Sequence, residues 1–274
     1  MVGFSNAKIN IGLNIIRKRP DGYHDLETIF YPVNIKDAIE IIEDPGAAED
    51  IIFTSTGHTL NISPKDNLCV KAFRLLQKDF PGLPPLKMHL HKNIPAGAGL
   101  GGGSSNAATV LVLLNKKFSL GISEEKLLHY ALLLGSDCPF FILNTPCIAK
   151  GRGEILLPIS LDLSSYKIMI VHPDIHINTA EAFAGLDPRN DTAGGGLRKG
   201  IEADISQWKN TLSNYFEKPL SISYPVIKEI TDRMYKSGAG YAAMSGTGSS
   251  VYGIFEKTIE IDVKFPSYWF CQIV

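Results

Sequence analysis

Cysteine is scarce in this sequence. The four residues (Cys69, Cys138, Cys147, Cys271) form no C-x-x-C pair and no zinc-ligand spacing. That excludes a disulfide framework or a zinc finger and reads as reduced thiols in a cytoplasmic protein. No apolar run approaches the ~18 residues of a spanning helix, which excludes an integral membrane protein. Polar Ser5, Asn6, Lys8 and Asn10 stand where a signal peptide carries its apolar stretch. Neither sign of charge is in excess: Lys plus Arg is 27 and Asp plus Glu 28. No nucleic-acid footprint follows from such a balance, although a local basic funnel for an anionic substrate stays possible. Repeats and low-complexity tracts are absent as well. What remains is ordinary globular composition, 45% hydrophobic and 20% charged over 274 residues. A chain of that size buries a core without metals or disulfides and forms one large domain or two modest ones.

The first third reads mostly as strand. Ala7, Ile9, Ile11, Leu13 and Ile15 alternate with Lys8, Asn10, Gly12 and Asn14, a period of two that predicts a half-buried strand. Pro20-Asp21-Gly22 marks a turn, and further strands are expected at Glu27–Val33, Ala38–Ile42 and Asp50–Thr54. Asp66–Phe80 changes to helical spacing, and Leu86–Ile94 alternates again. Helices follow at Ser105–Lys116 and Ser123–Leu134, the second with Ser123 as N-cap. The second half mixes strands at Cys147–Ala149, Ile155–Pro158, Lys167–Val171 and Val251–Phe255 with helices near Thr179–Ala184, Ile201–Phe216 and Pro225–Lys236. Asp187–Gly196, rich in Gly, Asp and Asn, reads as a mobile surface loop. The domain boundary is expected near Pro158–Tyr166, dividing residues 1–160 from 161–274.

The strongest local signal is Pro95-Ala96-Gly97-Ala98-Gly99-Leu100-Gly101-Gly102-Gly103-Ser104-Ser105, which runs directly into a helix. So dense a glycine run costs backbone entropy on folding, and is useful where backbone must approach a ligand closely. Ahead of a helix it offers unpaired N–H groups and the positive end of the dipole to a phosphate. Three phosphate-binding classes fit poorly. No Gly-Lys-Ser/Thr is present, so this is no Walker A loop. Gly97, Gly99 and Gly102 match G-x-G-x-x-G, but a second helix follows where a dinucleotide fold needs a parallel strand. Neither H-R-D nor D-F-G occurs, which excludes a protein kinase.

Residues 95–108, PAGAGLGGGSSNAA, resemble the ATP-binding motif of the GHMP kinase superfamily. SNAKINIGL at residues 5–13 resembles its N-terminal motif, and GYAAMSGTGSSVYGIF at residues 240–255 its C-terminal glycine-rich motif. The three stand in family order and span nearly the whole chain. RPDGYHDLET at residues 19–28 and GSDCPFF at residues 135–141 resemble the branch of that superfamily whose acceptor is a cytidine-diphosphate-linked methylerythritol. Two departures are Asn106, where an acidic residue is commoner, and Cys138, where valine is usual.

The resemblance implies an α+β fold of two lobes, an ATP-binding lobe over 1–160 and a C-terminal lobe over 161–274, with mixed and antiparallel sheets and packed helices. It implies ATP as phosphoryl donor, carried as its magnesium complex with no dedicated protein metal site. The partners implied are small molecules, with no nucleic acid and no membrane, and the chain is expected to be a monomer or weak homodimer. Lys8 and Asp137 take the catalytic positions: an ammonium beside a carboxylate favours the anion, which orients the attacking hydroxyl and accepts its proton. Without the resemblance, Lys8 is an outward-facing strand lysine and Asp137 a turn or cap aspartate. Residues 95–105 with Asn67 and Lys92 are the implied ATP contacts, though Asn67 by itself is an N-cap. Tyr23 is implied to stack on the cytosine ring, His24 to bond its edge, and Asn10 and Thr179 to contact the methylerythritol hydroxyls. His89, His91, His172 and His176 read as structural or solvent-facing. Two alternatives stay open: a superfamily kinase for another alcohol, such as mevalonate or homoserine, and a catalytically silent nucleotide-binding protein of the same fold.

Overall fold

The computed structural model describes residues 1–60, 62–184 and 196–274. Its strands and helices, in chain order, begin with β1 (Val2–Lys18), β2 (His24–Glu43), β3 (Ile51–Gly57), α1 (Leu68–Asp79) and β4 (Leu86–Lys92). There follow α2 (Gly102–Lys117), α3 (Glu124–Leu134), α4 (Cys138–Leu143), β5 (Cys147–Gly151), β6 (Ile155–Pro158) and β7 (Tyr166–His172). The remainder comprises α5 (Thr179–Ala184), α6 (Gly196–Glu202), α7 (Ile205–Thr211), α8 (Glu217–Ser223), α9 (Pro225–Lys236), β8 (Tyr241–Met244), β9 (Val251–Glu256) and β10 (Phe270–Ile273). No described helix is long and apolar enough to cross a membrane.

The chain forms two compact units, each discontinuous. The first holds Met1–Ala7, Asn34–Ala96 and Gly101–Asn144; the second holds Lys8–Val33, Gly97–Leu100 and Thr145–Val274. They do not follow the single cut expected at residue 160. The reason is pairing: the first half of β2 is antiparallel to β5, with Thr28 opposite Ala149, which draws residues 24–33 and 145–158 together. In the first unit the second half of β2 is antiparallel to β4, and β3 lies parallel to β4 on its other side. Ile39, Ile41, Met88 and Leu90 from these strands meet Phe73 and Leu76 of α1 and Val110, Leu111 and Leu114 of α2 in one apolar core. In the second unit β10-β7-β9-β8 make an antiparallel sheet. Met169, Val171, Val251 and Phe255 from it pack on Ile227, Ile230 and Met234 of α9.

Several elements depart from the sequence reading. The two strands expected at Glu27–Val33 and Ala38–Ile42 are one continuous β2. The helix expected at Ile201–Phe216 is broken, because Asp204 caps a new helix, α7, and Asn214 and Phe216 lie in the link to α8. The Asp187–Gly196 loop falls, except for Gly196, outside the described residues. Most informative is β1, where both faces of residues 7–13 are buried, Lys8 and Asn10 included at 3% exposure each. The alternation predicted a solvent face. The polar row is instead covered, and hydrogen bonds satisfy it.

Candidate active site

Lys8 does not face outward. Its ammonium donates to the Asn10 carboxamide oxygen two residues along the same face of β1 and lies 4.9 Å from the Phe30 ring centre. Asn10 Nδ2 donates to the Thr28 hydroxyl at 3.0 Å, and that hydroxyl donates to Gly12 O at 2.6 Å. Asn10 N–H donates to Ser245 Oγ at 3.2 Å, and its carbonyl accepts the Tyr252 hydroxyl at 2.9 Å. Every polar group of Asn10 is therefore engaged, and the lysine ammonium is held at a defined place.

The glycine loop is anchored beside this cluster. Lys8 N–H donates to Leu100 O at 3.0 Å, and Ser250 N–H to Ala98 O at 3.2 Å. Ser245 Oγ also donates to Gly99 O at 2.9 Å. A Cβ on Gly99 would stand 2.1 Å from Ser245 O, and its φ of +77° is left-handed, so the close approach of these two backbones demands glycine. Segments from three quoted motifs (residues 5–13, 95–108 and 240–255) thus meet at Asn10, Gly99 and Ser245. Thr179, exposed at the start of α5, has its hydroxyl 3.4 Å from the Thr247 hydroxyl of the same C-terminal loop. His176 is exposed, and its ring lies against the Gly97 backbone.

At the start of α2, Gly101 takes the N-cap position in a left-handed conformation, and Ser105 N–H donates to Gly101 O at 2.9 Å. Gly103 is exposed, and a Cβ there would meet only Leu68, at 3.8 Å. Ser105 is buried. The expectation for Lys92 changes most. Its ammonium is buried and paired with the Asp37 carboxylate. Burial pulls its pKa below the ordinary lysine value, while Asp37 opposes that. Asp37 also accepts Asn93 N–H at 2.7 Å, Ile94 N–H at 2.8 Å and Asn106 Nδ2 at 2.8 Å, and Asn106 donates to Ser5 Oγ as well. Asn106 therefore belongs to a buried network with Ser5, Asp37 and Lys92. Asn67 is the N-cap of α1, its side chain accepting Cys69 N–H at 2.9 Å.

Asp137 occupies the N-cap position of α4, yet its side chain makes no capping bond there. A helix cap, one alternative for this residue, is thus not its role. The adjoining Cys138 is buried, and burial pushes its thiol up to about 12, which keeps it protonated.

Residues 19–23 form a tight turn. Arg19 N–H donates to Tyr23 O at 2.8 Å, and Arg19 bridges Asp21 and Asp25 at 3.0 and 2.9 Å. Tyr23 presents an exposed ring whose partner is the Arg152 guanidinium, 4.9 Å from its centre. The His24 ring stacks on Phe183, centroids 4.9 Å apart at 28°. Burial, with Lys18 nearby, pulls the His24 pKa down, so at neutral pH the ring has one donor and one acceptor nitrogen. Arg152 and Phe183 stand in no motif that would have singled out their sites in the sequence, and Thr28 closes the 19–28 motif without a role having been read from it.

The chain matches the model of the GHMP kinases N terminal domain over residues 67–145 and that of the GHMP kinases C terminal domain over residues 197–263. This chain belongs to the GHMP kinases. Among GHMP kinase relatives, a protein of Bacteroides thetaiotaomicron named 4-diphosphocytidyl-2-C-methyl-D-erythritol kinase is 50% identical over 256 residues, 93% of this chain and 92% of that one. One of Cytophaga hutchinsonii with the same name is 45% identical over 95% of this chain and 94% of that one. A solved 4-(cytidine 5'-diphospho)-2C-methyl-D-erythritol kinase superposes with a TM-score of 0.76 at 28% identity, covering 93% of this chain and 90% of that one. The Methanococcus jannaschii mevalonate kinase, at a TM-score of 0.70 and 15% identity over 94% of this chain and 92% of that one, shares the GHMP fold.

Proposed function

We propose that this chain transfers the γ-phosphoryl group of ATP to the 2-hydroxyl of 4-diphosphocytidyl-2-C-methyl-D-erythritol, a step of non-mevalonate isoprenoid synthesis. The observation that carries this reading is the end-to-end match to relatives bearing that name, 50% identical over 93% of the chain. The Lys8 ammonium, fixed by Asn10, stands as the cation for charge developing on the transferring phosphoryl. Asp137, at the start of α4, orients the acceptor hydroxyl and takes its proton. Phosphoryl transfer depends mainly on positioning and charge stabilisation, so two well-held side chains suffice.

The start of α2 and residues 95–105 receive the ATP phosphates, Gly103 being the position most open to them. Magnesium rides on those phosphates. Asn67 and Lys92 belong to the nucleotide side, Lys92 by supporting the loop through Asp37. Tyr23 stacks on cytosine, backed by Arg152, and neutral His24 reads the base edge. Asn10 and Thr179 meet the methylerythritol hydroxyls. We place the enzyme in the cytoplasm, as a monomer or weak homodimer. The test is ATP consumption with the cytidyl acceptor, mevalonate or homoserine in parallel. Turnover with the cytidyl acceptor alone is expected, and turnover with mevalonate or homoserine in its place overturns the assignment.

A further inference from the structure

β8 is an edge strand in the order β10-β7-β9-β8, yet three backbone groups on its outward side, Ala242 O and both groups of Met244, are bonded by side chains. Ala242 O accepts the Tyr235 hydroxyl at 3.1 Å. At Met244 the N–H donates to the Glu217 carboxylate, and the carbonyl accepts Asn214 Nδ2 at 2.8 Å. The same Asn214 nitrogen donates to Gly246 O, also at 2.8 Å. One carboxamide thus spans the bend where β8 ends and residues 245–249 begin. Asn214 is itself fixed: it is buried, and its Oδ1 accepts Phe216 N–H at 3.0 Å. On either side, Ser213 O accepts Leu13 N–H at 2.9 Å, and Tyr215 N–H donates to Leu13 O at 2.8 Å, which locks the segment to β1 three residues beyond Asn10.

We infer that Asn214, with Glu217 beside it, is a positioning residue that sets residues 245–249 against Asn10 and Gly99. The inference rests on the assignment of Asn10 and Gly99 to the substrate sites. The bonds that carry it run 30 and 32 residues along the chain, and they end on Met244 and Gly246, on either side of Ser245, which touches both of those residues. A carboxamide nitrogen carries two N–H donors and so serves two carbonyls at once; a hydroxyl serves one, and an ionised carboxylate none.

The experiment compares the parent with Asn214→Ala, Asn214→Ser and Tyr235→Phe. It measures kcat and KM for both substrates, thermal stability, and amide hydrogen exchange. Asn214→Ala should raise the KM for the cytidyl acceptor by about tenfold or more, the scale of two lost buried hydrogen bonds. Asn214→Ser should raise it less. Exchange at Ser245 and Gly248, now bonded to Ser250 O and Ser245 O, should quicken in both Asn214 variants. Tyr235→Phe breaks a bond on the same strand edge three residues before the loop, so it should lower the melting temperature while both kinetic constants and the loop exchange stay near the parent's. Equal kinetic shifts in Asn214→Ala and Tyr235→Phe at matched loss of stability, or unchanged loop exchange in Asn214→Ala, overturn the inference. If Asn214→Ala does not fold, Asn214→Ser carries the same comparison. A parent inactive on the cytidyl acceptor overturns the kinase assignment instead, and the exchange data still decide the role of Asn214.

Discussion

The Asp37 carboxylate and the Lys92 ammonium form a fully buried pair, and their obligations are unequal. Asp37 has three further donors in Asn93, Ile94 and Asn106, whereas the hydrogen bond of Lys92 goes to Asp37. Asp37→Asn should therefore be the worse substitution, because it strands a buried ammonium, at on the order of 3–5 kcal/mol. Lys92→Met should cost clearly less, since Asp37 keeps its other partners. Denaturant unfolding of both variants checks this, and equal losses would contradict the account of the network.

Gly103 offers a clean probe of phosphate binding. Gly101 is left-handed at φ +69°, so a side chain there strains the backbone whatever binds. Gly103 is helical and open. Gly103→Ala should leave the melting temperature unchanged or slightly raised while weakening an ATP analogue by about tenfold or more, a methyl standing where a phosphate must approach. Calorimetric titration reads the affinity, and a variant that binds as the parent does would remove the start of α2 from the phosphate site.

Tyr23→Ala should raise the KM for the cytidyl acceptor by the equivalent of ~1–3 kcal/mol of base stacking and leave that for ATP nearly unchanged. The ring is exposed, so stability should not move. Arg152→Ala, which removes the cation over that ring, should shift the same constant in the same direction by less. Equal rises for both substrates would make Tyr23 structural.

Asp137→Asn should keep both substrates bound and lower turnover by ~100-fold or more, the scale of general-base catalysis. Lys8→Met should lower turnover too, and the double variant should lose less than the product of the two, as residues acting together do. Turnover and melting temperature measured on the same four proteins separate chemistry from folding. A destabilised Asp137→Asn with full turnover per folded molecule would return Asp137 to a structural role.

Glu217 makes a pH prediction. Burial pushes its carboxyl up to about 7, against the Met244 N–H and the Thr231 hydroxyl, which favour the anion. Tyr235, Tyr241 and Tyr252 are the titratable neighbours that face it. Because the folded protein holds this proton where the unfolded chain has lost it, the contribution of Glu217 to stability falls as pH rises from about 4.5 to about 7 and levels off above. Glu217→Gln should lack that slope, so its melting temperature should gain on the parent's across the window. Parallel curves would refute the shift.

Much of this molecule was legible in order and kind. The glycine run, the strand before it and the helix after it follow from composition and periodicity, as do Thr179–Ala184, Ile155–Pro158 and Pro225–Lys236, whose bounds agree with the structure. These are local signals: a cap, a proline or a period acts within a few residues, so one window of sequence contains its cause. What alternation could not tell was that neither face of β1 over residues 7–13 meets water. Burial of Lys8 and Asn10 depends on Thr28, Ser245 and Tyr252, up to 242 residues away.

The sequence by itself determined the element types, the phosphate-loop chemistry and, through motif resemblance, the family. Tertiary structure alone decided that Lys92 is tied to Asp37, that Asp137 is not a helix cap, and that Asn214 bonds Met244 and Gly246. The physical reason is that a polar side chain takes its role from the partner that satisfies it when water is gone. That partner comes from the packing of distant segments, on which a window of neighbouring residues carries no information.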